Sequence, residues 1–252
     1  YRGVQGMYSW QDLKRLEDGT SGIRQAVVIG GGLIGIELAE MLHTRTIPVT
    51  FLIRDKSYWS NVLPPEESAL VTRHITEHKI NLRFETQVSN IIADEQGKVQ
   101  SVITADNEEI KCDFAGITVG VNPNISFLKN TSIETGRGVL INQFFETSIE
   151  DVYAAGDCAE FRTHAEGQVA VEQLWYTGRM QGEALVKVLC GERTPYDRGI
   201  WFNSAKFFDI EYQTYGMVPS NIDAPFSSFY WEDSDGKKCL RIVFRNDGKA
   251  VI

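Results

Sequence analysis

The sequence predicts an α/β fold, a doubly wound and mostly parallel sheet with helices on its faces, and three observations predict it. A short apolar, β-branched run, Ala26 to Ile29, is followed at once by a glycine cluster and then by a helical apolar pattern at Ile34, Leu38 and Leu42. Two more strand-like runs, Val49 to Ile53 and Asn81 to Glu85, alternate with helical segments, the order of βαβ units. From Gly199 onward the pattern changes to an aromatic, strand-rich tail that includes Trp201, Phe202, Phe207, Phe208, Tyr212 and Trp231.

The elements follow in order. Trp10, Leu13 and Leu16 fall at helical spacing between Met7 and Glu17, with Ser9 as a candidate N-cap. Ala26 to Ile29 has the composition of a strand buried on both faces. After its glycines and helix, Ile47-Pro48 leads into the strand Val49 to Ile53. Pro64-Pro65 and the pair Glu66-Glu67 open a helix running to about Lys79. Three β-rich pieces, Val88 to Ala93, Lys98 to Ala105 and Glu109 to Val119, read as a meander laid over the sheet. Gly138 to Asn142 and Val152 to Ala155 read as strands, and Val169 to Leu189 as a helix.

Composition narrows the function. The chain has 252 residues, 42% of them hydrophobic, enough to bury substantial cores in one or two domains. With 34 acidic and 25 basic side chains its formal charge is −9, which argues against a nucleic-acid or anionic-membrane partner. No apolar run approaches the roughly 18 residues of a membrane span and no signal-peptide pattern opens the chain, so a cytoplasmic location is expected. Cys112, Cys158, Cys190 and Cys239 are far apart in sequence and read as reduced, mostly buried thiols. The start at Tyr1 and the turn Asp247-Gly248-Lys249, which should lead into another strand, read as a chain cut at both ends.

The glycine cluster carries the chemistry. Gly30, Gly32 and Gly35 match G-x-G-x-x-G: a tight turn, a close approach of backbone to pyrophosphate, and close helix-strand packing. The free N–H groups and dipole of the following helix hold an anion. Gly30, Gly31, Gly32, Leu33 and Ile34 are therefore expected to bind a dinucleotide pyrophosphate. At the end of the second strand, where an acid would grip a ribose 2′-hydroxyl, the chain reads Ile53-Arg54-Asp55-Lys56. Arg54 and Lys56 suit a 2′-phosphate, so NADP is expected, with NAD left open through Asp55.

Downstream, Thr147-Ser148-Ile149-Glu150-Asp151-Val152-Tyr153-Ala154-Ala155-Gly156-Asp157 resembles the second flavin motif of the FAD-dependent pyridine nucleotide-disulfide oxidoreductases, the two-dinucleotide flavoproteins. That resemblance implies that Asp157 accepts hydrogen bonds from the flavin ribityl chain and that Gly156 allows close approach. Thr118-Val119-Gly120-Val121-Asn122-Pro123 resembles the exit from the nicotinamide domain, and Glu37 matches a glutamate near the nicotinamide, so Gly120 and Glu37 are expected beside that ring. Glu172-Gln173-Leu174-Trp175, Gly178-Arg179, Gly182 and Trp201-Phe202-Asn203-Ser204 resemble the ferredoxin and rubredoxin reductase and apoptosis-inducing-factor branch. Leu174 and Trp175 are accordingly placed on the flavin side. Ala205-Lys206 departs from the acidic-amide pair common in that branch, which leaves the electron acceptor open.

The family's first glycine motif, which precedes the nicotinamide domain, has no counterpart here. The resemblance thus implies a Rossmann-like NAD(P)-binding domain at 1–121 inserted in an FAD-binding domain, of which 122–197 is the second half. Part of an α+β interface domain follows at 198–252. It implies a flavin-dependent NAD(P)H oxidoreductase passing hydride from NAD(P)H to FAD, with Glu37 at the reacting end. Electrons leave for a small electron-transfer protein or a small-molecule acceptor, and a homodimer is compatible. The alternatives are an NAD(P)-binding fragment without turnover, or a disulfide or peroxide reductase whose redox cysteine lies in the absent segment.

His74-Ile75-Thr76-Glu77-His78 spells H-x-x-E-H, a zinc-protease pattern. Its helix belongs to the nicotinamide unit, its polar face is expected to meet water, and no third ligand suggests itself in sequence. No metal is expected. The four histidines are His43, His74, His78 and His164, so none lies in the tail, where the disulfide reductases of the family carry a His-Glu base.

Overall fold

The apolar run after Gln25 does fold as a strand buried on both faces, and a five-stranded parallel sheet is built around it. The computed structural model describes residues 1–163 and 170–247. It divides into two units, one formed by residues 1–120 together with the segment from Ser204 onward, the other by Val121–Asn203.

In the first unit, β1 (Val4–Gln5) and α1 (Trp10–Gly19) precede β2 (Ala26–Ile29), α2 (Leu33–Thr44), β3 (Val49–Leu52), α3 (Pro65–Glu77) and β4 (Asn81–Arg83). Ser9 caps α1 as expected, its hydroxyl accepting from the Asp12 N–H at 3.2 Å. An antiparallel meander of β5 (Val88–Ala93), β6 (Val99–Thr104) and β7 (Glu109–Lys111) follows, and β8 (Phe114–Ile117) returns to the parallel sheet. The sheet order β1-β8-β2-β3-β4 places β2 between β8 and β3, so the strand order, though not the strand direction, reverses at the β2/β8 pair. Ligands of open α/β sheets bind outside the carboxyl ends of strands at such a reversal.

Side-chain alternation supplies the layers. Val28 and Phe51 face a core shared with Leu16, Leu38, Leu42, Leu70 and Ile75 of the helices, while Val27 and Leu52 face Val99, Val102 and Cys112 of the meander. Burying each such aliphatic or aromatic side chain is worth roughly 1.5–3 kcal/mol. From Ser204 onward the unit adds parts of two hairpins: β11 (Phe202–Phe207) with β12 (Ile210–Tyr215), and β13 (Phe226–Glu232) with β14 (Cys239–Arg245). Phe207 and Phe208 join the helix-side core.

The second unit pairs β9 (Val139–Ile141) in parallel with β10 (Ala159–Phe161) and ends in α4 (Trp175–Leu189). Ile141, Phe145 and Ala159 are its buried centre.

Several expectations need correction. The segment Glu109 to Val119 is two strands, because the chain breaks at Cys112-Asp113, where the Asp113 carboxylate accepts from the Arg24 backbone N–H at 2.9 Å. Val152 to Ala155 forms only one isolated bridge, Tyr153 with Glu146, and no strand. The helix expected from Val169 begins at Trp175; Val169 itself, His164 and the Gly248-Lys249 turn lie outside the described residues. Of the thiols only Cys112 is buried, while Cys190 and Cys239 are exposed. Burial beside Asp113 pushes the Cys112 thiol up to about 11, so it is an inert core group. His74, expected on a wet helix face, is 2% exposed because the turn after β11 covers it. Among the described residues no helix is long and apolar enough to cross a membrane.

Candidate dinucleotide site

The glycine turn sits at the carboxyl end of β2, beside the carboxyl end of β8. Gly30 has φ 111°, and a Cβ there would lie 2.4 Å from the Thr118 carbonyl oxygen, so backbone meets backbone where only glycine fits. Thr118 closes this joint: its N–H donates to the Ile29 carbonyl at 2.8 Å, and its hydroxyl lies 2.9 and 3.0 Å from the carbonyl oxygens of Ile29 and Gly30. Gly35 makes the helix approach possible, since a Cβ there would come within 2.2 Å of the Gly30 carbonyl oxygen. A Cβ on Gly31 would touch Ile53 Cγ2 at 3.0 Å, which sets the end of β3 against the turn.

Two glycines behave oppositely. Gly32 and Gly120 have nothing within 4 Å of where a Cβ would be, so each presents bare backbone to open space. Gly32 is the N-cap of α2 with φ −85° and ψ −178°, ordinary extended backbone, and no side chain caps this helix. The first turn of α2, Leu33 and Ile34 included, also carries no acidic side chain. Its N–H groups and the positive end of the dipole therefore face the space in front of Gly32, an arrangement that can hold a phosphate.

The remaining sequence-expected residues of this unit surround the same strand ends. Arg54 and Lys56 follow β3 on an exposed loop, with the Arg54 Nε 3.7 Å from an Asp55 carboxylate oxygen. Ile53, where an acid would select a 2′-hydroxyl, is buried and hydrogen-bonded through its backbone to Arg83 and Thr86 at 2.8 and 3.0 Å. Glu37 lies one turn into α2; desolvation by neighbouring groups and then the Glu40 charge push its carboxyl above the usual range. Tyr58 is fully buried, its hydroxyl has no hydrogen-bond partner, and burial together with the Glu37 charge raises its phenol pKa. Tyr8, which the sequence reading passed over, donates to the Ile117 carbonyl at 3.1 Å at the rim of β8.

In the second unit, Gly156 has φ 78° with open space at its Cβ position, and Asp157 beside it is exposed in a single 3-10 turn. The Gly156 N–H donates to Gln181 Oε1 at 2.7 Å, and Gln181 Nε2 lies 3.3 Å from Glu172 Oε2. Glu172 is in turn paired with Arg198 at 2.7 Å, both side chains largely buried. This relay fixes the Gly156-Asp157 turn against α4, and neither Gln181 nor Arg198 carries a motif by which sequence could single it out. Leu174 is the N-cap of α4, and Trp175 is 70% exposed, its ring against Tyr176 and the Arg179 guanidinium. Trp175 is therefore not a core residue of this unit.

Comparison with known proteins gives a consistent picture. The family described as pyridine nucleotide-disulphide oxidoreductase matches residues 2–182. The chain is 26% identical over 248 residues to a nitrite reductase [NAD(P)H] of Bacillus subtilis, covering 98% of this chain and 28% of that protein. It is 33% identical over 193 residues to the ferredoxin reductase subunit of a 5,5′-dehydrodivanillate O-demethylase of Sphingobium, covering 76% and 46%. Among solved structures, a ferredoxin reductase from Rhodopseudomonas palustris superposes with a TM-score of 0.85 at 22% identity, over 98% of this chain and 59% of that one, a likeness of fold. The chain thus spans about half or less of the length of these curated relatives.

Proposed function

Because the chain belongs to the pyridine nucleotide-disulphide oxidoreductase family, we propose that it is the nicotinamide-binding part, with the second half of the flavin-binding part, of a flavin-dependent NAD(P)H oxidoreductase. The observation that carries this reading is the pair of open-faced glycines, Gly32 and Gly120, at the β2/β8 reversal in front of an uncapped helix N-terminus. A pyrophosphate held by Gly30 to Ile34 would leave the nicotinamide end beside Gly120 and Glu37. Arg54 and Lys56, free of strong ion pairs on their loop, support NADPH over NADH through the adenosine 2′-phosphate. In the second unit, Gly156, Asp157, Leu174 and Trp175 present a glycine with open space, an exposed carboxylate and an exposed aromatic, which fits the pyrophosphate, ribityl and ring portions of a flavin.

When bound, the cofactors supply hydride transfer; this chain's residues position them. Thr118 fixes the glycine turn, the α2 terminus would offset charge on the pyrophosphate, and Glu37, its carboxyl pushed above the usual range by burial and then the Glu40 charge, would stand near the reacting end. The relative from Sphingobium suggests a small electron-transfer protein as the acceptor class.

The test is titration of the protein with NADPH and NADH, followed by quenching of protein fluorescence, with 2′-phosphoadenosine compounds as competitors. One-site binding that favours NADPH and is displaced by the competitor supports the reading. Absence of saturable binding to either nucleotide contradicts it.

A further inference from the structure

We propose that His74, His78 and Asp209 form a site for a divalent transition-metal ion of the zinc class, joining the end of α3 to the turn between β11 and β12. His74 and His78 stand four residues apart, so both imidazoles project from one side of the helix end. Asp209 comes from the two-residue turn between β11 and β12, far away in sequence. One ligand atom from each residue lies within 4.8 Å of the others. Asp209 Oδ1 is 2.5 Å from His74 Nε2 and 3.4 Å from His78 Nε2.

Hydrogen-bond bookkeeping points to a cation here. His78 Nδ1 lies 2.9 Å from the His74 carbonyl oxygen, which can only accept, so Nδ1 carries the proton. In the neutral ring, Nε2 then presents a lone pair toward the Asp209 carboxylate, and two acceptors facing each other need a positive charge between them. His74 is 2% exposed, and neither of its ring nitrogens makes a well-aligned hydrogen bond; its Nδ1 has Glu77 Oε2 at 3.9 Å. Ligand histidines commonly give their second N–H to a backbone carbonyl or a carboxylate, and His78 has such a carbonyl in that of His74. Phe208 stacks on the His78 ring at 4.3 Å, and the His43 ring lies 5.9 Å from it, so the imidazole is held in place.

Donor chemistry selects the ion. Two imidazoles and one carboxylate suit zinc and its first-row neighbours, with an open position for water on the exposed Asp209 side. Metal bonds of about 2.0–2.2 Å separate neighbouring ligand atoms by roughly 3.3 Å in a tetrahedral site. The His78 to Asp209 spacing already fits; Asp209, on an exposed turn, would draw back from His74 by about 0.8 Å, and the two imidazoles, whose ligand atoms lie within 4.8 Å of each other, would close on the ion. The rival occupant of this space is a proton shared by His74 and Asp209.

The experiment is titration of the full chain with Zn²⁺ against a chromophoric chelator at neutral pH, with Co²⁺ as a spectroscopic probe. The expected result is one site per chain. Asp209→Asn and His78→Gln, both at accessible side chains, should each weaken it by more than roughly 100-fold, beyond the cost of losing a merely supporting partner. Cys190→Ser and Cys239→Ser, which remove the exposed thiols, should leave it unchanged. Absence of saturable Zn²⁺ binding, or Asp209 and His78 variants that bind Zn²⁺ as tightly as the parent, would overturn the proposal in favour of the shared proton.

Discussion

Gly32→Asp separates what the fold needs from what a dinucleotide needs. Gly32 has ordinary extended backbone, φ −85° and ψ −178°, with open space at its Cβ position, so the substitution meets no steric obstacle. It also sits at the N-cap of α2, which no side chain now caps, and aspartate is among the best N-cap residues. The variant should gain about 0.3 kcal/mol of stability. In a chain of this length that is a rise of roughly 1 °C in Tm. The same carboxylate would stand where the pyrophosphate is proposed to lie. Two unit charges about 4 Å apart at an effective dielectric near 20 repel by about 4 kcal/mol, roughly a thousandfold in affinity. Calorimetric melting and fluorescence titration with NADPH measure the two effects on one sample. Unchanged NADPH affinity in a folded Gly32→Asp variant would refute the reasoning.

Four further outcomes are expected. Gly35→Val should do the reverse and destabilise the unit by several kcal/mol, because its Cβ would fall 2.2 Å from the Gly30 carbonyl oxygen; a urea midpoint as high as the parent's would contradict the packing described. Arg54→Glu should weaken NADPH far more than NADH, and equal loss of both would remove the 2′-phosphate role. Gln181→Leu strips the Gly156 N–H of its acceptor and should cost about 1–3 kcal/mol in the second unit, read by denaturant titration. Asp113 is held below the usual carboxylate range by hydrogen bonds from Arg24, and Glu146 by Arg193 and then Asn142. Groups with depressed folded pKa values stabilise above the unfolded value, about 4, and lose that contribution as pH falls through the folded value. The urea midpoint should therefore be flat from about pH 7 to 5 and drop below about pH 4, less steeply in Arg24→Gln.

What was legible in the sequence was what local chemistry determines. Ala26 to Ile29, Gly30 with Gly35, and Ser9 before Trp10 each carry a reason readable within a few residues, and each is found where that reason puts it. Contacts that close over long separations left no such mark. The strand break at Cys112-Asp113 depends on Arg24, 89 residues away, and the burial of His74 depends on a turn well beyond the helix that carries it. Asp209 was invisible as a partner for His74 and His78 for the same reason. The Gln181 to Glu172 relay joins residues whose types are common on any helix face, so only three-dimensional placement reveals that they hold the Gly156 turn.

The central claim is that the turn from Gly30 to Ile34, with Gly120 opposite, receives a dinucleotide phosphate. Selective ¹⁵N-glycine labelling gives an amide spectrum with at most 22 glycine signals, assignable with single glycine-to-alanine variants at tolerant positions. On titration with NADPH the account predicts that Gly30, Gly31, Gly32 and Gly120 move and saturate together, while distant glycines such as Gly97 and Gly236 stay fixed. Saturable NADPH binding that leaves those four amides unmoved would contradict it.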